Sequence, residues 1–175
     1  MPGMRCKESS KDKDMTKLED LKKEYNVFSK KEHLPEFEDL DDVFEIRAID
    51  LERGNLVNSI IRIMMSTINN HLELIYPVIN PNPSSFYSMS LHSYMNEKDK
   101  EKITKLYAAL IQLQLGGTKT LLESNKEKAG YINKLHKLYP GIRNKIREST
   151  NLFVDSWEKA MKESDKKDKK PGFLG

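Results

Sequence analysis

Between Leu56 and Ile79 lies the most apolar window of the chain. Leu56, Ile60, Ile63, Met64, Ile68, His71, Leu72 and Ile75 recur at three- and four-residue steps, which is the spacing of one face of an α-helix. Val57, Ile61, Met65 and Tyr76 widen the stripe. A helix that is apolar around much of its circumference has to be covered, so it belongs in the middle of a bundle. It does not read as a membrane span. Arg62, His71, Glu73 and three asparagines interrupt the window, and such groups are costly in hydrocarbon.

The flanking sequence supplies helices to cover it. Thr16-x-x-Glu19 fits a capping box, and a first helix is expected from Asp14–Thr16, with Met15, Leu18, Leu21, Tyr25 and Phe28 on its apolar face. Residues 33–40, holding Pro35, are expected to break that pattern. A second helix is expected from Asp41 or Asp42, with Phe44, Ala48 and Leu51 sharing a face. The alternation over 43–49 also fits a short strand, but no second strand is visible to pair with it, so helix is preferred. Gly54 is expected to kink the chain, and Pro77, Pro81 and Pro83 to end the central helix. Phe86–Met95 reads as a short helix or ordered crossover. Asn96 reads as the cap of a helix continuing through Ile103, Leu106, Leu110, Gly117 and Leu121. A break at Ser124–Asn125 leads into a helix over 126–138 with Tyr131, Leu135 and Leu138 inward. Pro140 is expected to open a last helix to about Ser164, with Ile142, Ile146, Ser149, Phe153, Trp157 and Ala160 or Met161 inward. The expected fold class is therefore all-α: a five- to six-helix antiparallel bundle forming a single domain over 14–164, with mobile charged termini. Residues 1–13 form a disordered tail in this reading, and 165–175 a flexible Lys-rich tail with an apolar tip.

The residues that carry chemistry are sparse. The stretch from Gln112 to Thr120, QLQLGGTKT, superficially resembles a phosphate-binding loop. Such a loop needs a preceding strand and a Gly-Lys pair four residues after another glycine, and neither is present. The helical period running through it instead places Gly117 toward the core, where a missing side chain permits close helix contact or a kink. No Glu-x-x-His pair exists for a di-metal bundle, the four histidines are scattered, and Cys6 is the single cysteine. His71, on the apolar stripe, reads as a hydrogen-bonded core residue. No nucleophile elbow is present. The expectation is a protein that is not an enzyme and uses no metal or cofactor.

Charge and exposed apolar residues point to binding. Residues 33–55 hold eight acidic side chains against Arg47 and Arg53, whereas the C-terminal half is basic. Over 126–147, Lys126, Lys128, Lys134, Lys137, Arg143, Lys145 and Arg147 face only Glu127. With the helix start expected at Pro140-Gly141, this forms a candidate surface for phosphates or nucleic acid, to be set against an ordinary solvated lysine face. Phe173 and Leu174, at the tip of the C-terminal tail, are candidates for docking into a partner groove. The leading expectation is a non-enzymatic helical interaction module: an adaptor, scaffold or complex subunit, with a protein partner or a second copy of itself. The alternatives are a nucleic-acid-associated protein using Lys126, Lys134, Lys137, Arg143, Lys145 and Arg147, and a protein that binds a small molecule or lipid between helices. The absence of an apolar leader and the single cysteine fit the cytoplasm.

Overall fold

A computed structural model describes residues 10–50 and 55–168. The chain is all-α. Among the described residues it forms α1 (Ser10–Glu32), α2 (Phe37–Phe44), a 3-10 turn (Ile46–Ala48), α3 (Leu56–Ile79), α4 (Phe86–Tyr94), α5 (Glu97–Thr120) and α6 (Asn125–Asp168), with no strand. The described helices divide into two compact units: residues 10–50 and 55–64 with 117–136, and residues 65–116 with 137–168. The alternative reading of 43–49 as a strand is therefore set aside in favour of helical turns.

Most of the α3 stripe is buried as its spacing dictates: Leu56, Ile60, Met64, Ile68, Leu72 and Ile75 are inside, with Val57 and Ile61 beside them, whereas Ile63, His71 and Met65 are half-buried. The expected flank at Tyr76 is exposed instead. Asn55 opens the helix, its Oδ1 accepting from the Val57 amide at 3.0 Å and the Asn58 amide at 3.3 Å. Gly54 and Leu51 lie outside the described residues. Pro77 does not end the helix, which continues to Ile79. The last carbonyls are instead satisfied one by one: Tyr76 O by the Asn80 amide at 2.8 Å, Pro77 O by the Ser88 hydroxyl at 3.0 Å and Val78 O by His92 Nδ1 at 3.2 Å. Supplying donors from α4 to these carbonyls removes the usual cost of a helix end, and the stop moves two residues past the proline.

In the first unit, the start of α1 is Ser10, so Thr16 lies inside the helix and Thr16-x-x-Glu19 is not a cap. Leu21 and Tyr25 are fully buried, while Leu18 and Phe28 are half-buried. The α1–α2 link is built around Tyr25. Its hydroxyl donates to the Pro35 carbonyl at 2.6 Å, and its ring meets Phe37 edge-on at 5.4 Å. The second helix starts at Phe37, earlier than Asp41 or Asp42, because Pro35 and an extended Glu36 already end the previous segment. Phe37, Leu40 and Phe44 form its buried face. It stops at Phe44 because Glu45 takes the left-handed conformation (φ 56°), so Ala48 falls in the 3-10 turn and is exposed. Asp41 secures this reversal. Its buried carboxylate accepts from the Arg47 amide at 2.7 Å and Arg47 Nε at 2.5 Å, and pairs with Arg47 Nη2. The carboxylate in turn holds the guanidinium above its ordinary pKa.

In the second unit, α4 is a short helix, and Ser85 caps it by accepting from the Ser88 amide at 3.3 Å. Asn96 caps α5, accepting from the Asp99 amide at 3.0 Å. Leu91, Met95, Ile103, Leu106, Leu110, Ile146 and Phe153 are buried here. Ser149 is buried with them, its hydroxyl returned to the Lys145 carbonyl at 2.9 Å, which spares it an unmet hydrogen bond.

The two expected C-terminal helices are one. Helix α6 runs from Asn125 to Asp168 with Pro140 inside it. A proline within a helix removes one backbone bond and costs about 3 kcal/mol. Buried Tyr139 and Ile146 on either side of it, together with Ile132 and Leu135, offset that cost by tertiary packing. Pro140-Gly141 is thus no helix start, and it offers no free amides to an anion. Leu138, expected inward, is 46% exposed, while Tyr139 takes the buried position.

QLQLGGTKT is entirely helical, and Gly117 is buried. Two other glycines lie in the helical interior of α6 with open space around them. A Cβ built on Gly130 or Gly141 meets nothing within 4 Å. Each exchange to Ala should therefore raise stability by about 0.5–1 kcal/mol through reduced chain entropy. Denaturant midpoints of Gly130→Ala and Gly141→Ala check this, and a drop at either position would mean that the local helix is not as described.

Candidate interaction surface

The short helix α4 lies against the C-terminal half of α6 within the second unit. The Tyr94 hydroxyl donates to Glu163 Oε2 at 2.6 Å, and this bond raises the tyrosine's pKa. At the other end of α4, Phe86 and Tyr87 reach Trp157 of α6. Both ring centroids are 5.6 Å from the indole, Phe86 edge-on and Tyr87 tilted. Aromatic pairs at these separations are individually favourable, and they fix the orientation of the rings.

What distinguishes this cluster is its exposure. Phe86 is 57% exposed and Tyr87 42%. On α6, Val154 and Met161 lie three residues before and four after Trp157, on the same helical face, and are 51% and 41% exposed. Single exposed apolar residues are commonplace, but a group of aromatic, Val and Met side chains gathered around one indole is not. In the sequence, Trp157 reads as an inward residue because 146, 149, 153, 157 and 160 keep helical register. The structure turns it to the edge of that stripe, where it is half-buried. The neighbouring spacing of Val154, Trp157 and Met161 was the available signal for a second apolar face.

The six basic candidates are all exposed. Lys126 and Lys134 belong to the first unit, and Lys137, Arg143, Lys145 and Arg147 to the second. Within the second unit, Arg143 and Arg147 are one turn apart, whereas Lys145, two residues from each, projects about 160° away from both at 100° per residue. The helix therefore distributes these charges around its solvent side. Phe173 and Leu174 lie outside the described residues.

Lys145 instead borders a groove between α5 and α6. Ile103, Leu106 and Ala109 of α5 and Leu152 of α6 supply its apolar lining, and Lys102, Lys105, Lys145 and Glu148 its charged lining. The groove volume is about 540 Å³. Lys102 is paired with Asp99 at 2.8 Å and Lys105 with Glu101 at 2.7 Å.

His71 meets its expected hydrogen bond: Nε2 lies 3.1 Å from the Tyr139 hydroxyl, with the two rings stacked at 6.0 Å. Burial lowers the imidazole pKa. The unfolded chain therefore takes up this proton first as pH falls, so stability is fully present above about pH 6.5 and declines below it. The urea midpoint should fall between pH 7.5 and 5.5, and His71→Gln should shrink that fall. An identical fall in the variant would remove His71 from the account. Among the described residues, no group of three or more His, Cys, Asp or Glu side chains is gathered as a metal site would require, and no helix is long and apolar enough to cross a membrane.

Comparison with protein families, with curated proteins and with solved structures finds no match to this chain.

Proposed function

We propose that the chain is a non-enzymatic helical interaction module that docks another protein through the surface around Trp157. The observation that carries this reading is the exposed cluster of Phe86, Tyr87, Val154 and Met161 about a half-buried indole. Tryptophan and tyrosine are the residue types that most often dominate binding energy at protein interfaces, and Phe and Met are also enriched there. Their positions on two helices held together by Tyr94 and Glu163 make the surface rigid before a partner arrives, which lowers the entropic cost of docking.

A second reading rests on a separate observation. Among the described residues, the side chains of Lys126, Lys134, Lys137, Arg143, Lys145 and Arg147 are exposed and form no ion pair, so they are available to phosphates. One experiment separates the two. Tagged wild-type protein, a Phe86→Asp/Met161→Asp variant and a Lys134→Glu/Lys137→Glu variant are used for capture from the cell of origin, with and without nuclease. The interaction-module reading expects a stoichiometric protein partner that survives nuclease, is lost from the Phe86/Met161 variant and stays with the lysine variant. Loss only from the lysine variant, with sensitivity to nuclease and salt, would overturn it in favour of nucleic acid.

A further inference from the structure

The groove between α5 and α6 lies on the opposite side of α6 from the aromatic surface. Leu152, in the groove, and Met161, in the aromatic cluster, are nine residues apart and so point about 180° from one another. The groove combines two chemistries. Its floor is apolar, with Ile103 and Leu106 closing it off from the core. Its border carries three lysines, Lys102, Lys105 and Lys145, against the single carboxylate Glu148. Among the described residues the Lys145 ammonium has no ion pair or hydrogen bond, Lys105 pairs with the exposed Glu101 one turn away on its own helix, and Lys102 is held by Asp99, which is only 13% exposed. An exposed pair such as Lys105–Glu101 is weak and exchanges readily for a better anion. The volume of about 540 Å³ falls within the span of small-molecule sites.

We propose that this groove binds an anionic amphiphile, with an alkyl chain on the Ile103, Leu106, Ala109 and Leu152 floor and a carboxylate or phosphate head held by Lys105 and Lys145. The charge of the border selects the sign of the head group, and the floor requires a tail. A small hydrophilic anion would leave the floor wet, and an uncharged tail would leave Lys145 without a counter-charge. This ligand class is independent of the protein partner proposed for the Trp157 surface.

Calorimetric titration of the full chain with laurate and with dodecyl phosphate, each below its micelle concentration, tests the proposal. One-site saturable binding is expected. Lys145→Glu should weaken it at least tenfold by removing the head-group contact. Ala109→Trp, at an exposed position, should weaken it similarly by filling the groove, and circular dichroism should show both variants as helical as the wild type. An uncharged dodecyl ether should bind at least tenfold more weakly than laurate. Co-sedimentation with vesicles containing an anionic phospholipid distinguishes the source. Retention that depends on Lys145 assigns a bilayer lipid, and saturable laurate binding without retention assigns a free amphiphile. The proposal is overturned by no saturable binding of either amphiphile and no retention on vesicles, by binding that neither variant changes, or by equal binding of the uncharged ether.

Discussion

Replacing Tyr25 by Ala should cost about 3–5 kcal/mol, the range for emptying a large aromatic site in a packed core. Tyr25 is 0% exposed, its ring packs on Phe37, and its hydroxyl closes the α1–α2 link at the Pro35 carbonyl. Total stabilities of folded domains are about 5–15 kcal/mol, so this one change would consume a large share. Tyr25→Phe isolates the hydroxyl and should cost about 1–3 kcal/mol, since it leaves the ring in place and a part-buried carbonyl without its donor. Equilibrium denaturation of the two variants measures both. Equal losses would mean that the ring contributes nothing beyond its hydroxyl, contrary to the packing described.

The second large effect is a contrast between neighbours on α6. Phe153 is 4% exposed and Val154 is 51% exposed, although they are adjacent in sequence. Phe153→Ala should cost about 3–5 kcal/mol, and Val154→Ala should stay within about 0.5 kcal/mol. The pair fixes the rotation of α6 about its axis, and hence whether Val154, Trp157 and Met161 truly face outward. Comparable losses at both sites would rotate the helix by enough to bury the proposed docking surface.

Periodicity made the all-α class and the central helix legible. Leu56 to Ile75 repeat at helical steps without interruption, and burial follows those steps because no competing element can satisfy that face. Helix boundaries were less legible because they depend on distant partners. Pro77 fails to stop α3 because Ser88 and His92, from a later helix, donate to the carbonyls that a helix end would leave orphaned. Pro140 fails to split α6 because packing on both sides outweighs one lost backbone bond, and local rules cannot weigh that balance. The α2 start at Phe37 is hidden in the sequence because the acidic pair Asp41-Asp42 looks like a helix beginning. The structure uses Asp41 differently, as a buried acceptor for Arg47.

The candidate surface was only half visible for a related reason. Phe86, Tyr87, Met89, Leu91 and Tyr94 make 86–95 apolar in the sequence, and Lys145 is one of its basic candidates. Neither carried information on its neighbours. Trp157 has the spacing of a core residue, and only the placement of α4 beside α6 shows that it forms the centre of an exposed aromatic group. The lysines of α5 are inconspicuous in the sequence because their i,i+3 and i,i+4 partners, Asp99 and Glu101, read as ordinary helix surface.

The central claim is that the surface around Trp157 contacts another protein. A photo-crosslinking side chain at position 161, activated in the cell of origin, tests it most directly, with the same group at exposed Thr104 as the control. A discrete protein adduct from position 161 that is absent from position 104, and that disappears when Phe86 is changed to Asp, is the predicted result. No adduct from position 161, or the same adducts from both positions, would contradict it.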